Sequence, residues 1–146
     1  FSNPAGVATD GTDVYVTDAG NNKIRKINID NGTVTTLAGP PAGTTTSGTT
    51  DNETSRNARF SLPWGITTDG VNLYVSDVSS HRIRKIVIST GAVTTIAGPS
   101  DGTTGSGDTD NDTASNARFS NPYGITSDAS YIYVGDFSNN KIRRIE

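Results

Sequence analysis

The chain has 146 residues, of which 32% are hydrophobic, and it contains no cysteine. Its formal net charge of −3 gives no electrostatic basis for binding nucleic acid or an anionic membrane surface, so we expect neither partner. The absence of cysteine excludes disulfides and thiolate metal sites, and no apolar run approaches the roughly 20 residues of a membrane-spanning helix.

Four short strands are predicted at the start of the chain, each bounded by turn residues. The first follows Pro4 and ends at Asp10, and the second covers 13–18, where residues alternate in the manner of a strand. The third covers 22–30, and the fourth covers 33–39 after Asn31 and Gly32, a pair that favours a tight hairpin. Short strands joined by tight turns predict an up-and-down antiparallel sheet.

The same pattern occurs three times with a period of 59 residues, and the three copies begin at Phe1, Phe60 and Phe119. A fixed period of this size is typical of solenoids, propellers and arrays, whose units bury their faces against neighbours. We therefore predict an all-β fold of β-propeller blades, with two complete four-stranded blades and three strands of a third. The units are 1–59 and 60–118, each a blade with its connector, and the partial blade 119–146.

The connectors, 40–59 and 98–118, have no apolar periodicity and would pass as flexible linkers if they occurred once. Both end in Asn-Ala-Arg immediately before a phenylalanine, so we expect them to be positioned connections.

The repeated unit resembles the NHL repeats. The resemblance rests on an opening Pro-x-Gly-Val/Ile, on Val/Leu/Ile-Tyr-Val-x-Asp, on Lys/Arg-Ile-Arg-Lys/Arg-Ile, and on Val-Thr-Thr-Leu/Ile-Ala-Gly. It covers nearly the whole chain, and the connectors resemble those of the bacterial, long-loop variety. The resemblance implies a propeller, usually six-bladed, in which the strands after Pro4, Pro63 and Pro122 are innermost.

The blade count departs from that pattern, since fewer than three blades cannot close a ring. The open ends and the free strand edge of the third unit invite association. Three alternatives follow: two copies complete one ring, a head-to-tail contact that does not close builds a fibre, or the residues are a window of a longer array.

A repeated carboxylate ends each second strand, and an arginine follows seven residues later. These positions are Asp18, Asp77 and Asp136, with Arg25, Arg84 and Arg143. A catalytic carboxylate is one interpretation, but we favour a structural tie of each aspartate to backbone or to arginine. His81 is the only histidine, and Asn22 and Asn140 are its equivalents, so we expect a surface turn residue and not a metal ligand.

Asp108, Asp110 and Asp112 form an Asp-x-Asp-x-Asp pattern in the second connector, with the alternate spacing of calcium loops. The pattern lacks the glycine and the bidentate glutamate of an EF-hand, so a solvated turn that bonds to itself is the alternative. Calcium is the only cofactor that the sequence indicates.

Aromatic and glycosylation patterns give weaker indications. Tyr15, Tyr74 and Tyr133 are expected to pack between blades, and Trp64 could stack on a ligand or be a variable rim residue. Three asparagines match the N-glycosylation pattern: Asn31, Asn52 and Asn111.

The composition, low in lysine and rich in threonine, asparagine and glycine, favours a secreted or surface-exposed bacterial protein.

We therefore predict a non-enzymatic extracellular scaffold whose blades assemble head to tail into a ring or fibre. Its expected partners are other copies of itself, with other proteins or glycans as further candidates. The alternative is part of a propeller enzyme of the lyase or hydrolase type with a metal in its channel. RNA binding, known for some NHL proteins, would require a basic face that this charge balance does not supply.

Overall fold

A computed structural model of the chain describes residues 1–52, 57–99, 105–110, 116–128 and 130–146. These residues form three antiparallel sheets of four, four and three strands and contain no α-helix. The all-β fold of two complete four-stranded blades and three strands of a third is confirmed. No helix in the described part of the chain has the length and apolar character that spanning a membrane requires.

The strands follow one another in chain order within each sheet. Blade 1 contains β1 (Pro4–Thr9), β2 (Asp13–Asp18), β3 (Lys23–Asn28) and β4 (Val34–Ala38). Blade 2 contains β5 (Pro63–Thr68), β6 (Asn72–Asp77), β7 (Arg82–Val87) and β8 (Val93–Ala97). Blade 3 contains β9 (Pro122–Ser127), β10 (Ile132–Asp136) and β11 (Lys141–Ile145).

The turn between the first and second strands is built by a repeated aspartate. In blade 2, the Oδ1 atom of Asp69 accepts the backbone N–H groups of Val71 (2.8 Å) and Asn72 (2.6 Å), as in an Asx turn. Its Oδ2 atom accepts the hydroxyl of Tyr74 at 2.8 Å. The same contacts occur at Asp10 with Tyr15 and at Asp128 with Tyr133. Each tyrosine therefore anchors a turn as well as packing on its strand.

The turn between the second and third strands is a single 3₁₀ turn that ends in a left-handed residue. Asn22 (φ 55°), His81 (φ 57°) and Asn140 (φ 54°) occupy this position in the three blades. Asparagine tolerates the left-handed region better than most residues, which explains its use at two of the three turns.

Two apolar clusters lie between blades. We call the surface of a blade that faces the following blade its trailing face, and the opposite surface its leading face. At the first seam, Ile24 on the trailing face of blade 1 packs in one cluster with Phe60 and Ile66 on the leading face of blade 2. At the second seam, Ile83 packs in one cluster with Phe119. The core therefore consists of the seams between sheets.

Candidate functional site

Each blade contains a buried aspartate paired with an arginine of the third strand. In blade 2, Asp77 accepts hydrogen bonds from the backbone N–H of Ser61 and from the hydroxyl of Ser80, both at 2.6 Å. It also pairs with Nη1 of Arg84 at 3.1 Å, and both side chains are fully buried. The equivalent pairs are Asp18 with Arg25 (3.2 Å) and Asp136 with Arg143 (3.0 Å). The carboxylate thus ties the start of the blade, the 3₁₀ turn and the third strand together.

The same guanidinium groups lie over the phenylalanine rings that open the repeats. The distances from the guanidinium carbon to the ring centroid are 5.3 Å for Arg25 and Phe1, 5.1 Å for Arg84 and Phe60, and 5.0 Å for Arg143 and Phe119. These distances are within the range of cation–π contacts. The repeated phenylalanine, aspartate and arginine therefore form one structural cluster per blade.

The connector that precedes blade 2 folds back onto this cluster. Its two limbs pair through the backbone, with Gly48 N–H donating to Phe60 (2.9 Å) and Arg59 N–H donating to Thr50 (3.0 Å). Arg84 then donates to the carbonyl groups of Arg59 (2.8 Å) and Thr50 (3.0 Å) and to Oδ1 of Asp51 (2.7 Å). The described part of this connector is thus a positioned element that covers blade 2.

The connector before blade 3 repeats this arrangement. Gly107 N–H donates to Phe119 (3.0 Å), Arg118 N–H donates to Thr109 (3.0 Å), and Arg143 donates to the carbonyl groups of Arg118 (2.9 Å) and Thr109 (3.0 Å). The described parts of the two connectors therefore make the same backbone contacts around equivalent arginines, although their sequences differ.

The buried aspartates of blades 1 and 2 have pKa values that are shifted in opposite directions. Burial raises the pKa of Asp77 to about 6, and the charge of Arg84 only partly opposes this effect. Asp18 holds the equivalent position in blade 1, where the side chain of its partner Arg25 is 21% exposed. There the effect of burial is outweighed by hydrogen bonds from Ser2 and Asn21, so the pKa of Asp18 falls below its usual value.

A hydroxyl on the second strand links each blade to the next. Thr17 accepts the N–H of Gly6 (2.7 Å) in its own blade and donates to the carbonyl of Trp64 (2.6 Å) in blade 2. Ser76 makes the same pair of bonds, with Gly65 (2.8 Å) and with the carbonyl of Tyr123 (2.7 Å) in blade 3. The equivalent position in blade 3 is Gly135, which has no hydroxyl.

The left-handed turn residues supply a second link across each seam. Oδ1 of Asn22 accepts the N–H of Leu62 (3.0 Å), and Nδ1 of His81 accepts the N–H of Asn121 (3.1 Å). Only a neutral imidazole can accept at Nδ1. Burial, the largest effect, lowers the pKa of His81 and favours that neutral form, although the charge of Asp136 acts in the opposite direction. The histidine lies in a surface turn, and its ring also joins two blades.

The proposed calcium residues contact cations where they are described. Asp108 pairs with Nζ of Lys141 (3.2 Å), and Asp110 pairs with Nη2 of Arg143 (2.5 Å). Asp112 lies outside the described residues. Within the described ranges, no three histidine or acidic side chains are grouped so that they could hold a metal ion. Calcium binding at this connector stays a prediction.

Two of the three glycosylation candidates are described. Asn31 is exposed in the hairpin turn, where its Oδ1 accepts the N–H of Thr33 (2.9 Å). Asn52 exchanges two backbone hydrogen bonds with Val93, at 3.1 and 2.8 Å. Asn111 lies outside the described residues. Glycosylation at these positions stays a prediction.

Trp64 belongs to a short row of aromatic rings. Its side chain is 40% exposed and lies edge-on to Tyr123, with ring centroids 5.4 Å apart. Tyr123 lies in turn edge-on to Phe137 (5.3 Å), which is 68% exposed. The rings stabilise one another at the second seam in a common edge-to-face geometry.

Sequence reasoning missed the seam hydroxyls of Thr17 and Ser76 and the turn role of Asp10. A signal was present for the turn, since an aspartate precedes a tyrosine by five residues in all three copies. No comparable signal marked the hydroxyls, because their partner is a backbone carbonyl of the next blade.

No family model matches the chain, and neither does any curated protein. Solved structures do match. An auxiliary nutrient binding protein from Bacteroides thetaiotaomicron is 27% identical, with a TM-score of 0.79 over 93% of this chain and 35% of its own. An auxiliary nutrient binding protein from Bacteroides ovatus is 24% identical, with a TM-score of 0.77 and the same coverage. Virginiamycin B lyase from Staphylococcus aureus is 17% identical, with a TM-score of 0.58 over 99% of this chain and 41% of its own.

The blades and these neighbours together identify the fold as a β-propeller. The chain spans about a third of the length of the nutrient binding proteins that it matches. The matching structures include binding proteins and an enzyme by name, so the likeness identifies the fold and leaves the activity open.

Proposed function

We propose that the chain is a non-enzymatic structural module of the NHL type, which stacks head to tail with other copies outside the cell. The observation that carries this proposal is the exposure of seam residues at the two ends. The side chains that are buried between blades inside the chain have exposed equivalents on the leading face of blade 1 and on the trailing face of blade 3.

The leading face of blade 1 exposes Phe1 (58%) and Val7 (66%). Their equivalents in blade 2 are Phe60 (0%) and Ile66 (7%). The leading faces of blades 1 and 2 thus carry apolar side chains at the same positions. We therefore expect the leading face of blade 1 to bind a trailing face in the way that blade 2 binds blade 1 at the first seam. Exposed apolar surface of this kind favours association.

The trailing face of blade 3 exposes Ile142 (78%), whereas the equivalent Ile24 and Ile83 are fully buried. A head-to-tail contact would place Ile142 of one copy against the Phe1 and Val7 side of the next. It would also place Asn140 near the backbone of Asn3, as Asn22 lies beside Leu62 at the first seam. Such a contact is heterologous, so it closes into a ring or continues as a fibre according to its rotation.

The proposal is tested by sedimentation velocity with two variants, one for each end face. Val7→Asp and Ile142→Asp each place a charge in the contact, so each alone is expected to remain at the monomer mass of 15.2 kDa. An equimolar mixture retains one intact leading face and one intact trailing face. It is therefore expected to form a 1:1 dimer, while the wild type forms larger species.

Val71→Asp is the matched control, since Val71 is 65% exposed in a hairpin turn away from the seam clusters. This variant should assemble like the wild type. A wild type that stays monomeric at every concentration would overturn the proposal, and a mixture that forms no dimer would overturn the head-to-tail geometry.

The non-enzymatic part of the proposal is supported by the contacts of the titratable residues. His81 uses Nδ1 for a backbone bond, and Asp18, Asp77 and Asp136 are each paired with arginine. Turnover of an ester or lactone that is lost in His81→Ala, or a transition metal that copurifies in stoichiometric amount, would favour the enzyme alternative instead.

A further inference from the structure

Trp64 and Tyr123 form a corner of two aromatic rings on the inner strands of blades 2 and 3, which we call the aromatic corner. Each follows the proline that begins its strand, β5 or β9. Pro63 pairs with Asp77, the residue before the 3₁₀ turn, so the aromatic corner lies at the end of the sheets where these turns lie. The ring planes meet at 90°, with centroids 5.4 Å apart. One ring can therefore act as the floor of a binding site and the other as its wall.

The packing of the blades does not require the aromatic corner. Blade 2 has a blade on each side, yet the side chain of Trp64 is 40% exposed. Neither Trp64 nor Tyr123 belongs to the apolar clusters of the two seams. Blade 1 has Ala5 at the equivalent position, so the first seam packs without this pair of rings. The exposed face of Trp64 is thus available to a ligand.

The entry to β5 also departs from the repeat at a second position. Leu62 has a φ of 60°, in the left-handed region, where blades 1 and 3 have Asn3 (47°) and Asn121 (53°). Asparagine tolerates this region, whereas a leucine there is uncommon and strained. Blade 2 therefore carries two large apolar residues, Leu62 and Trp64, where blade 1 has an asparagine and an alanine.

Both rings of the aromatic corner carry a polar group that is free to bind a ligand. The hydrogen bonds from Thr17 (2.6 Å) and Ser76 (2.7 Å) go to the backbone carbonyls of Trp64 and Tyr123. Within the described part of the chain, the indole N–H and the phenol hydroxyl themselves have no partner. The tyrosines of the second strands, by contrast, all donate their hydroxyls to an aspartate. The aromatic corner thus combines apolar faces with free hydrogen-bonding groups.

The surface around the aromatic corner carries no charge. Lysine, arginine, aspartate, glutamate and histidine are absent from the inner strands and the 3₁₀ turns, namely 4–9, 63–68, 122–127, 19–21, 78–80 and 137–139. Asp77 and Asp136, which precede two of these turns, are buried and paired with arginine. The polar groups nearby are neutral, since Asn121, two residues before Tyr123, donates its amide to the hydroxyl of Ser138 at 3.0 Å. Such a surface fits an uncharged ligand and offers nothing to a phosphate.

We infer that the aromatic corner binds a neutral sugar ring of an oligosaccharide. A pyranose has an apolar C–H face that packs on an aromatic face, and hydroxyl groups at its edge that bond to the indole N–H and the phenol hydroxyl. Nucleobases also stack on aromatic rings, but their binding depends on cations that neutralise the phosphates, and the inner strands have none. The site adds a ligand to the structural role proposed above and does not depend on it.

Trp64 is the only tryptophan of the chain, so its fluorescence reports on the site directly. The test titrates cellohexaose and maltohexaose, two neutral oligosaccharides, into the full chain carrying Ile142→Asp, which is expected to stay monomeric. At least one of them is expected to give a saturable change in the emission of Trp64 at millimolar concentration or below. Oligouridine and a proline-rich peptide are titrated in the same way and should bind more weakly.

Variants of the aromatic corner locate the binding, measured by isothermal titration calorimetry in the same Ile142→Asp background. Trp64→Ala restores the residue of blade 1 and should weaken saccharide binding by about tenfold or more. Tyr123→Phe keeps the ring, loses the hydroxyl and should weaken binding by about fivefold. Val71→Ala shortens an exposed side chain at the other end of β5 and should leave the affinity unchanged.

Three results would overturn the inference. The first is the absence of saturable binding of both hexasaccharides at millimolar concentration. The second is an unchanged affinity in Trp64→Ala or, should that variant fail to fold, in Tyr123→Phe. The third is tighter binding of oligouridine or of the proline-rich peptide than of either saccharide, because the aromatic corner would then serve a different class of ligand.

Discussion

Blades 1 and 2 place nearly the same residues on the same strands, yet their central ion pairs differ. Arg84 is fully buried and bonded to the connector, whereas the side chain of Arg25 is 21% exposed and its further bond goes to the carbonyl of Thr35 in its own blade. The difference comes from residues 48–52, which cover blade 2 and have no described counterpart on blade 1. In this repeat protein a blade is therefore completed by the segment that precedes it.

The largest effect is expected when the arginine of the covered blade is removed. Arg84→Ala leaves Asp77 buried without its partner and releases the connector, which should lower the free energy of unfolding by about 3–5 kcal/mol. Arg25→Ala removes a partly exposed arginine with fewer partners and should cost roughly 1 kcal/mol. Urea denaturation of the two variants measures the difference, and equal losses would contradict the role assigned to the connector.

A smaller effect is expected from adding a methyl group at a seam. A Cβ at Gly65 would lie 2.3 Å from the carbonyl oxygen of Tyr123, so Gly65→Ala should cost about 1–3 kcal/mol as the two blades are forced apart. A Cβ at the equivalent Gly124 has no atom within 4 Å in the single chain. Gly124→Ala therefore serves as the control and should be close to neutral when both changes are made in the Val7→Asp chain, which is expected to stay monomeric. The melting temperatures of both variants test this account of the seam. A larger loss of stability in Gly124→Ala than in Gly65→Ala would contradict it.

The smallest effect is a pH dependence at the second seam. His81 has a pKa below its usual value in the folded chain, so the unfolded chain binds a proton first as the pH falls. The contribution of His81 to the free energy of unfolding is complete above about pH 6.5. It declines as the pH falls from there towards the lowered pKa of the folded state.

His81→Asn provides the matched comparison, because Asn22 makes the same bond at the first seam without titrating. The stability of the wild type relative to this variant should decline below about pH 6.5. The opposite contribution expected from the raised pKa of Asp77 is common to both proteins and cancels. A difference that does not vary between pH 5 and 8 would show that the imidazole accepts no bond there.

The strands, turns and blade count could be predicted because they depend on local chemistry and on a period visible in the sequence. The alternation of 13–18, the Asn31-Gly32 turn and the repeated phenylalanines are all local signals. For the repeated aspartates the sequence predicted a tie to backbone or to arginine and left the choice open, and Asp77 makes both bonds.

The contacts between blades could not be predicted in the same way. The bond from Thr17 goes to a backbone carbonyl 47 residues away, and any residue type at position 64 would supply that carbonyl. The connector contacts of Arg84 likewise use mainly backbone atoms, so nothing in the composition of 40–59 indicates them. A sequence repeat specifies the unit, while the seam depends on where neighbouring backbones lie.

The central claim is that the end faces are unpaired copies of the internal seams, and disulfide trapping tests it most directly because the chain has no cysteine. At the second seam, Thr67 Oγ1 lies 3.2 Å from Ser127 Oγ, so Thr67→Cys with Ser127→Cys should form a disulfide within one chain. Thr126→Cys with Thr9→Cys places cysteines at the equivalent positions of the two end faces.

On mild oxidation, this second double variant is predicted to yield covalent dimers or a ladder of multimers on a non-reducing gel, while the internal control stays monomeric. A double variant that stays unlinked while the control pair closes would contradict the claim.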